Sequence, residues 1–132
     1  MLPKTVLVVE DSDPTRRLIE LCLSMDGLNV VHRVDGESGL EAAKTLIPDA
    51  IVLDIALPGI DGWEVLARLR SDPDTRAIPV LVATAHDNAA VRTQAETAAA
   101  NAFLGKPFEL THLRAAIAKL LGQQQPHETP LA

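Results

Sequence analysis

Short apolar runs alternate along the chain with longer stretches in which apolar residues recur at helical spacing. This alternation is typical of repeated βαβ units built around a parallel sheet. The runs VLVV, AIVL and VLVA are continuously apolar, which favours strands that helices cover on both faces. The predicted strands are Lys4–Val9, Leu28–Val34, Asp49–Asp54, Pro79–Thr84 and Asn101–Gly105. The second is more mixed and the fifth is shorter, so both are expected toward the edges of the sheet.

A helical pattern follows each predicted strand. The first helix is predicted from Ser12–Pro14, where the serine can cap the helix and the proline suits its first turn, to about Met25. Leu18, Cys22 and Met25 are predicted on its inner face. The other helices are predicted from Gly36 to before Pro48, from Gly62 to about Arg70, from after Asp87, and from Glu109 to Leu121 with Gly122 as a cap.

The composition is that of an ordinary globular domain. Of the 132 residues, 47% are hydrophobic and 23% are charged, which is enough apolar material for one compact core. The formal net charge is −6 and no run of Lys or Arg offsets it, which argues against direct binding of nucleic acid. The single cysteine, Cys22, excludes an internal disulfide. No apolar run reaches the ~18 residues of a membrane span and no secretion signal opens the chain, so we expect a soluble cytoplasmic protein without membrane contact.

Polar residues follow four of the predicted strands. Glu10 and Asp11 come after the first strand and Asp54 ends the third, while Thr84 ends the fourth and Lys106 follows the fifth. In an open parallel sheet, ligands bind at the carboxyl ends of the strands. The sequence therefore predicts that these five side chains meet at one edge of the sheet.

This set of residue types suits phosphoryl transfer. Three carboxylates in one cleft repel each other unless a cation joins them, and oxygen ligands without His or Cys favour Mg²⁺ over zinc. A carboxylate can also attack phosphorus and form an acyl phosphate. The charge on a transferring phosphoryl group must be neutralised, and a metal, an ammonium group and a hydroxyl donor can share that work. Lys106 and Thr84 are placed for the last two roles.

Four segments of the chain resemble the receiver domains of two-component response regulators, of the chemotaxis-regulator type. They are VLVVED at 6–11, IVLDIALPGIDGWEVL at 51–66, VLVATA at 80–85 and FLGKPF at 103–108. The resemblance spans roughly residues 4–121, and the separations between Asp54, Thr84 and Lys106 match as well. It implies an α/β, doubly wound, flavodoxin-like fold, in which five helices surround a five-stranded parallel sheet of strand order 2-1-3-4-5. Ala99 stands where many receivers have glycine, so the end of the fourth helix is expected to differ.

The resemblance assigns the acids and the lysine. It implies that Asp54 is the phosphoacceptor and that Lys106 is the cationic partner of the phosphoryl group. It also implies that Glu10, Asp11, Asp54 and the backbone carbonyl of Ala56 hold Mg²⁺, for which Mn²⁺ can substitute. Asp11 would bind the ion directly and Glu10 through water. Glu10 stands where aspartate is commoner, and its longer reach is expected to tune the affinity for the ion.

Further positions of the resemblance concern the switch. Thr84 is implied to move toward the phosphoryl group, and Phe103 to turn inward when it does, although ordinary core packing explains Phe103 equally well. The Lys106–Pro107 bond is expected to be cis, an isomer that only proline makes accessible. His86 follows Thr84 by two residues, and our hypothesis is that His86 and Ala56 influence how fast water attacks the aspartyl phosphate.

The function expected from this resemblance is a phosphoacceptor switch in a two-component phosphorelay. The domain would not be an enzyme beyond weak autophosphorylation from small phosphodonors and self-dephosphorylation. A histidine kinase or a histidine phosphotransfer protein would supply the phosphoryl group, and the output would be a downstream protein target or an attached output domain. The domain would be a monomer or a phosphorylation-dependent dimer.

Two other functions compete with this one. A receiver-like module that binds proteins independently of phosphorylation is one, although such modules usually lack one of the site residues that are all present here. An aspartyl phosphatase or phosphotransferase is the other, but such enzymes commonly place a second acid where this chain has Ala56.

Residues 1–121 are the predicted receiver domain. Residues 122–132, GQQQPHETPLA, contain two prolines and no apolar period, so they are predicted to be a flexible tail or the start of a linker. The sequence leaves open whether the protein is a stand-alone receiver or a fragment of a longer regulator.

Overall fold

The computed structural model of the protein describes residues 3–123, in which five strands and five helices alternate. The strands are β1 (Thr5–Val9), β2 (Asn29–Arg33), β3 (Ala50–Leu53), β4 (Val80–Thr84) and β5 (Ala102–Gly105). The helices are α1 (Asp13–Met25), α2 (Gly36–Leu46), α3 (Gly62–Ser71), α4 (Ala89–Thr97) and α5 (Leu110–Gln123).

All five strands pair in parallel in the order β2-β1-β3-β4-β5. The predicted doubly wound fold is thereby confirmed, and so are the edge positions of the second and fifth strands. The three central strands are β1, β3 and β4, and all their residues except Thr5 are buried. Continuous apolar runs therefore mark the central strands because helices cover both of their faces.

Alternate side chains of each central strand contribute to opposite faces of the sheet. On one face, Leu7 and Val9 of β1 pack with apolar residues of α2 and α3. On the other face, Val6 and Val8 pack with apolar residues of α1 and α5. The sheet is thus enclosed by two hydrophobic layers, and only its ends are free to present polar groups.

The predicted inner face of α1 is wrong at two of three positions. Cys22 is buried, but Leu18 and Met25 are 45% and 76% exposed. The helix carries two apolar stripes that share Cys22, and the sheet covers the stripe that contains Ile19 and Leu23. Spacing alone does not distinguish the two stripes, because both recur at helical intervals.

Side chains cap three helices at their N-termini. Asp35, Asp61 and Asn88 each accept a hydrogen bond from a backbone N–H in the first turn of α2, α3 and α4. The fourth helix begins after Asp87 as predicted, and Asn88 is its N-cap. The predicted cap by Ser12 is wrong, since Ser12 occupies the N-cap position of α1 but makes no side-chain cap hydrogen bond. Its hydroxyl contacts Thr15 Oγ1 at 3.3 Å instead.

One predicted helix end is wrong, and two others have a left-handed residue that is not glycine. α5 continues through Gly122 to Gln123, so Gly122 does not cap it. A glycine costs a helix only about 1 kcal/mol, which the neighbouring turns can absorb. At the end of α4, Ala99 adopts a left-handed backbone with φ of 67°, and Ile47 does the same after α2 with φ of 45°. The chain therefore keeps the turn that glycine usually makes, although alanine occupies it.

Most of the predicted C-terminal tail lies outside the described residues, which end at Gln123 within α5. Within residues 3–123, no helix combines the length and the apolar character that crossing a bilayer requires.

Candidate functional site

The strand register brings the predicted polar residues to one edge of the sheet. Val9 and Leu53 are paired at the carboxyl ends of β1 and β3, so the acids that follow them become neighbours. The Asp54 N–H donates to the Val9 carbonyl at 3.1 Å, which extends the ladder by one residue. On the other side, the Lys106 N–H donates to the Thr84 carbonyl at 2.8 Å.

Glu10, Asp11 and Asp54 form a cluster of carboxylates. One oxygen from each lies within 4.8 Å of the others. Glu10 is 2% exposed and Asp54 is 5% exposed, whereas Asp11 is exposed at the mouth of the cleft. Two buried acids beside a third concentrate negative charge where water is largely excluded, which favours a bound cation.

Lys106 lies between the two buried acids. Its Nζ is 2.6 Å from Glu10 Oε1 and 3.1 Å from Asp54 Oδ2. Burial alone would lower the pKa of Lys106, but the two carboxylates raise it above its ordinary value, so the side chain is charged. Burial raises the pKa of Glu10, although the Lys106 hydrogen bond opposes this shift. One ammonium group cannot neutralise three carboxylates, so negative charge remains for a further cation.

Backbone N–H groups fix the two buried carboxylates. Ser12 N donates to Glu10 Oε2 at 3.1 Å, and Ala56 N donates to Asp54 Oδ1 at 3.0 Å. The loop after Asp54 folds back because Gly62 lacks a side chain: a Cβ there would overlap the Ile55 Cα and the Asp54 carbonyl oxygen. Asp54 is therefore held at both oxygens, one by Ala56 N and the other by Lys106 Nζ.

Thr84 ends β4, and Phe103 lies in β5, the strand that leads to Lys106. The Thr84 side chain is fully buried, and its Oγ1 accepts a hydrogen bond from the His86 N–H at 3.1 Å. Among residues 3–123, its hydroxyl has no direct hydrogen bond to Asp54 or Lys106. Phe103 is half-buried and packs against the core, with the Arg92 guanidinium 4.6 Å from its ring centroid. The Lys106–Pro107 bond is cis, the isomer that the resemblance implied.

Sequence reasoning missed two charged residues near the site. Arg16 of α1 is buried, pairs with Asp13 and donates to the Glu10 carbonyl at 3.4 Å. Asp87 lies over the backbone of Gly105, where a Cβ would overlap its carboxylate. The glycine at position 105 could have predicted this contact, because a glycine within a strand indicates that another group approaches the backbone closely.

The donor set fits a hard divalent ion. The cluster offers carboxylate oxygens and no sulfur or imidazole ligand, which suits Mg²⁺. Asp11 is exposed and has room to bind an ion from solvent, while Glu10 and Asp54 are already held in place by backbone donors. Glu10, Asp11 and Asp54 are therefore the residues that would hold the ion.

The fold and the site define the class of the protein: an open doubly wound α/β domain with an acidic cleft at the carboxyl edge of its sheet. Comparison with known proteins identifies the family. The family model of the response regulator receiver domain matches residues 6–118. Response regulator MprA of Mycobacterium sp. strain KMS is 38% identical over 129 residues, which cover 98% of this chain and 55% of MprA. The chain thus spans about half the length of that relative.

Solved structures agree with this match. A crystal structure of a putative response regulator from Chloroflexus aurantiacus J-10-fl superimposes with a TM-score of 0.87 at 35% identity, covering 91% of this chain and 98% of that one. The receiver domain of sensor histidine kinase PA1611 from Pseudomonas aeruginosa PAO1 has a TM-score of 0.84 at 28% identity, with the same coverage. That structure holds a magnesium ion coordinated in its active site cleft. The chain belongs to the response regulator receiver domain family.

Proposed function

We propose that Asp54 accepts a phosphoryl group and that this modification switches the domain between two arrangements. The observation that supports the proposal best is the environment of the Asp54 carboxylate. It is buried, held by Ala56 N and Lys106 Nζ, and within 4.8 Å of two further acids. Such a carboxylate is aligned as a nucleophile and lies beside the positive charge that a phosphoryl group requires.

In the transfer step, an Asp54 carboxylate oxygen attacks phosphorus while the bond between phosphorus and the donor breaks. The electron pair of that bond leaves with the donor. Lys106 Nζ, already 3.1 Å from Asp54 Oδ2, is placed to bind an oxygen of the incoming group. Mg²⁺ held by Glu10, Asp11 and Asp54 would neutralise charge on the phosphoryl oxygens, and the Ala56 carbonyl is the proposed additional ligand. The PA1611 receiver domain, which holds magnesium in its cleft, supports this ion.

The switch would involve Thr84. Its hydroxyl is engaged with the His86 N–H at 3.1 Å, and a phosphoryl group on Asp54 would offer it a charged acceptor instead. Phe103 would follow, because it packs beside the same strand. Phosphorylation would shift a pre-existing equilibrium between these arrangements. We propose a histidine kinase or a histidine phosphotransfer protein as the phosphoryl donor, and a downstream protein or an attached domain as the recipient of the signal.

The proposal is tested by incubating the purified protein with acetyl phosphate and Mg²⁺ and measuring its intact mass. We expect a gain of one phosphoryl group in the wild type, and none in Asp54→Asn or when Mg²⁺ is removed by a chelator. Asp74→Asn, which changes an exposed acid in the loop after α3, is the matched control and should gain the group. Equal modification of Asp54→Asn, or an unmodified wild type, would contradict the proposal.

A further inference from the structure

Asp87 and Arg92 form an ion pair that involves the loop after Thr84. Asp87 lies in the loop between β4 and α4, and Arg92 lies in α4. The Arg92 Nε is 2.7 Å from Asp87 Oδ1 and its Nη2 is 3.0 Å from Asp87 Oδ2. This bidentate geometry restrains both side chains more than a single hydrogen bond would.

Arg92 also contacts β5. Its guanidinium carbon lies 4.6 Å from the centroid of the Phe103 ring, within the range of a cation–π contact. One guanidinium group thus joins the loop after β4, helix α4 and the aromatic ring of β5. We call Asp87, Arg92 and Phe103 the Arg92 cluster.

Gly105 makes room for the cluster. A Cβ at Gly105 would overlap Asp87 Oδ2 and lie 2.8 Å from Asp87 Cγ and 2.9 Å from Asp87 Cβ. Because the Asp87 side chain is short, a Cβ at Gly105 would displace Asp87 from its present position. The missing side chain immediately before Lys106 therefore allows the loop after β4 to lie against β5.

We infer that the Arg92 cluster positions the loop after β4 in the unphosphorylated arrangement and thereby slows phosphorylation of Asp54. This inference rests on the proposed function. The same loop contains His86, whose N–H binds Thr84 Oγ1 at 3.1 Å. While Asp87 is held against Gly105 by Arg92, the loop keeps the Thr84 hydroxyl engaged with His86. Phe103 likewise cannot turn inward without leaving the Arg92 guanidinium.

The size of the effect follows from the exposure of the cluster. The Arg92 side chain is 53% exposed and the Asp87 side chain is 36% exposed, so the ion pair is screened by solvent. Together with the aromatic contact, the pair biases the two arrangements by about fivefold. Arg92→Gln, which removes both contacts, should accelerate phosphorylation by acetyl phosphate and Mg²⁺ by about that factor. Asp87→Asn, which keeps the aromatic contact, should accelerate it by a smaller factor.

The matched control is Arg68→Gln. Arg68 is 52% exposed, and its Nε lies 2.9 Å from Glu64 Oε2 on α3, so it loses a similar ion pair on another helix. Its phosphorylation rate should equal that of the wild type. The double variant Asp87→Asn/Arg92→Gln should be no faster than Arg92→Gln alone, because Arg92→Gln already removes the ion pair that Asp87→Asn breaks.

A second readout separates positioning from a general loss of stability. The NMR signal of the Arg92 Nε–H should show slow exchange with water in the unphosphorylated wild type, and fast exchange after phosphorylation. Gly105→Ala, which displaces Asp87 but keeps both charges, should show fast exchange before phosphorylation.

Unchanged or slower phosphorylation in both Arg92→Gln and Asp87→Asn would overturn the inference, as would an Arg92 Nε–H signal that phosphorylation leaves unaltered. If the wild type accepts no phosphoryl group, the proposed function fails first and this inference with it. If the wild type is phosphorylated and Arg68→Gln is accelerated as much as Arg92→Gln, only the inference fails.

Discussion

Ala99 occupies a backbone conformation that alanine tolerates poorly. Its φ of 67° lies in the left-handed region, and its side chain is exposed, so no packing compensates for the strain. The Ala99 N–H donates to the Glu96 carbonyl at 3.0 Å, which holds the residue in the turn that ends α4. Ala99→Gly should therefore raise the free energy of unfolding by about 1 kcal/mol, measured by urea denaturation.

The neighbouring alanine provides a control of opposite sign. Ala98 has φ of −82°, an ordinary value, and it packs against the core. Ala98→Gly gains no relief of strain and loses packing, so it should lower the free energy of unfolding. A stabilising effect at Ala98, or none at Ala99, would mean that backbone strain does not control this turn.

At the scale of single residues, the sequence predicts the acids and the lysine of the site well. Glu10, Asp11, Asp54 and Lys106 come together because parallel strands end at one edge, and strand ends are readable from apolar runs. The hydrogen bond from His86 N to Thr84 is not readable in this way. It depends on the path of a loop, which the residue types along it do not determine.

Among the elements, α3 is linked to two loops by hydrogen bonds of the Arg70 side chain. Arg70 donates to the carbonyls of Ala99, Arg76 and Ile78 and to Asn101 Oδ1, at distances of 2.8 to 3.0 Å. Burial lowers the pKa of Arg70 below its ordinary value, but the guanidinium stays charged at neutral pH. Arg70→Met would leave four acceptors without this donor and should lower the free energy of unfolding by about 2 kcal/mol, measured by urea denaturation.

Arg17→Met is the comparison for this prediction. Arg17 lies on the exposed side of α1 and makes no side-chain hydrogen bond within the described part of the chain. Its replacement removes the same charge and should change stability little. If both variants lose equal stability, net charge rather than the Arg70 hydrogen bonds would be responsible.

The order and type of the elements follow from apolar periodicity, but the orientation of α1 does not. Leu18 and Cys22 fit one stripe and Ile19, Cys22 and Leu23 fit another. The choice between them depends on how the helix lies on the sheet, which is a property of tertiary packing. The same holds for the end of α5, where the sequence marks Gly122 as a stop and the helix continues past it.

For the molecule as a whole, an ion pair joins the first and the last helix. Arg114 of α5 binds Asp26 at the end of α1, with its Nε 2.9 Å from Asp26 Oδ2 and its Nη2 2.6 Å from Oδ1. This hydrogen bonding lowers the pKa of Asp26 below its ordinary value of 3.8. A carboxylate with a lowered pKa stabilises the folded state above its ordinary pKa, and that stabilisation is lost as pH falls through the folded-state value.

Asp26→Asn should therefore be less stable than the wild type at neutral pH, and the difference should shrink as pH falls from about 5 to about 3. Urea denaturation at a series of pH values measures this difference. Arg114→Gln should show the same narrowing, because it removes the other half of the pair. A difference between Asp26→Asn and the wild type that stays constant over this range would exclude the ion pair as its source.

The ammonium group that offsets part of the negative charge of the cleft follows the last strand of the sheet. Lys106 is separated from Glu10 by 96 positions, and it reaches that acid only when β5 is added at the edge of the sheet. During synthesis on the ribosome, the acids emerge long before this lysine does. A partly made domain thus contains the buried acids without their positive neighbour, so the charge balance of the cleft is established only when β5 joins the sheet.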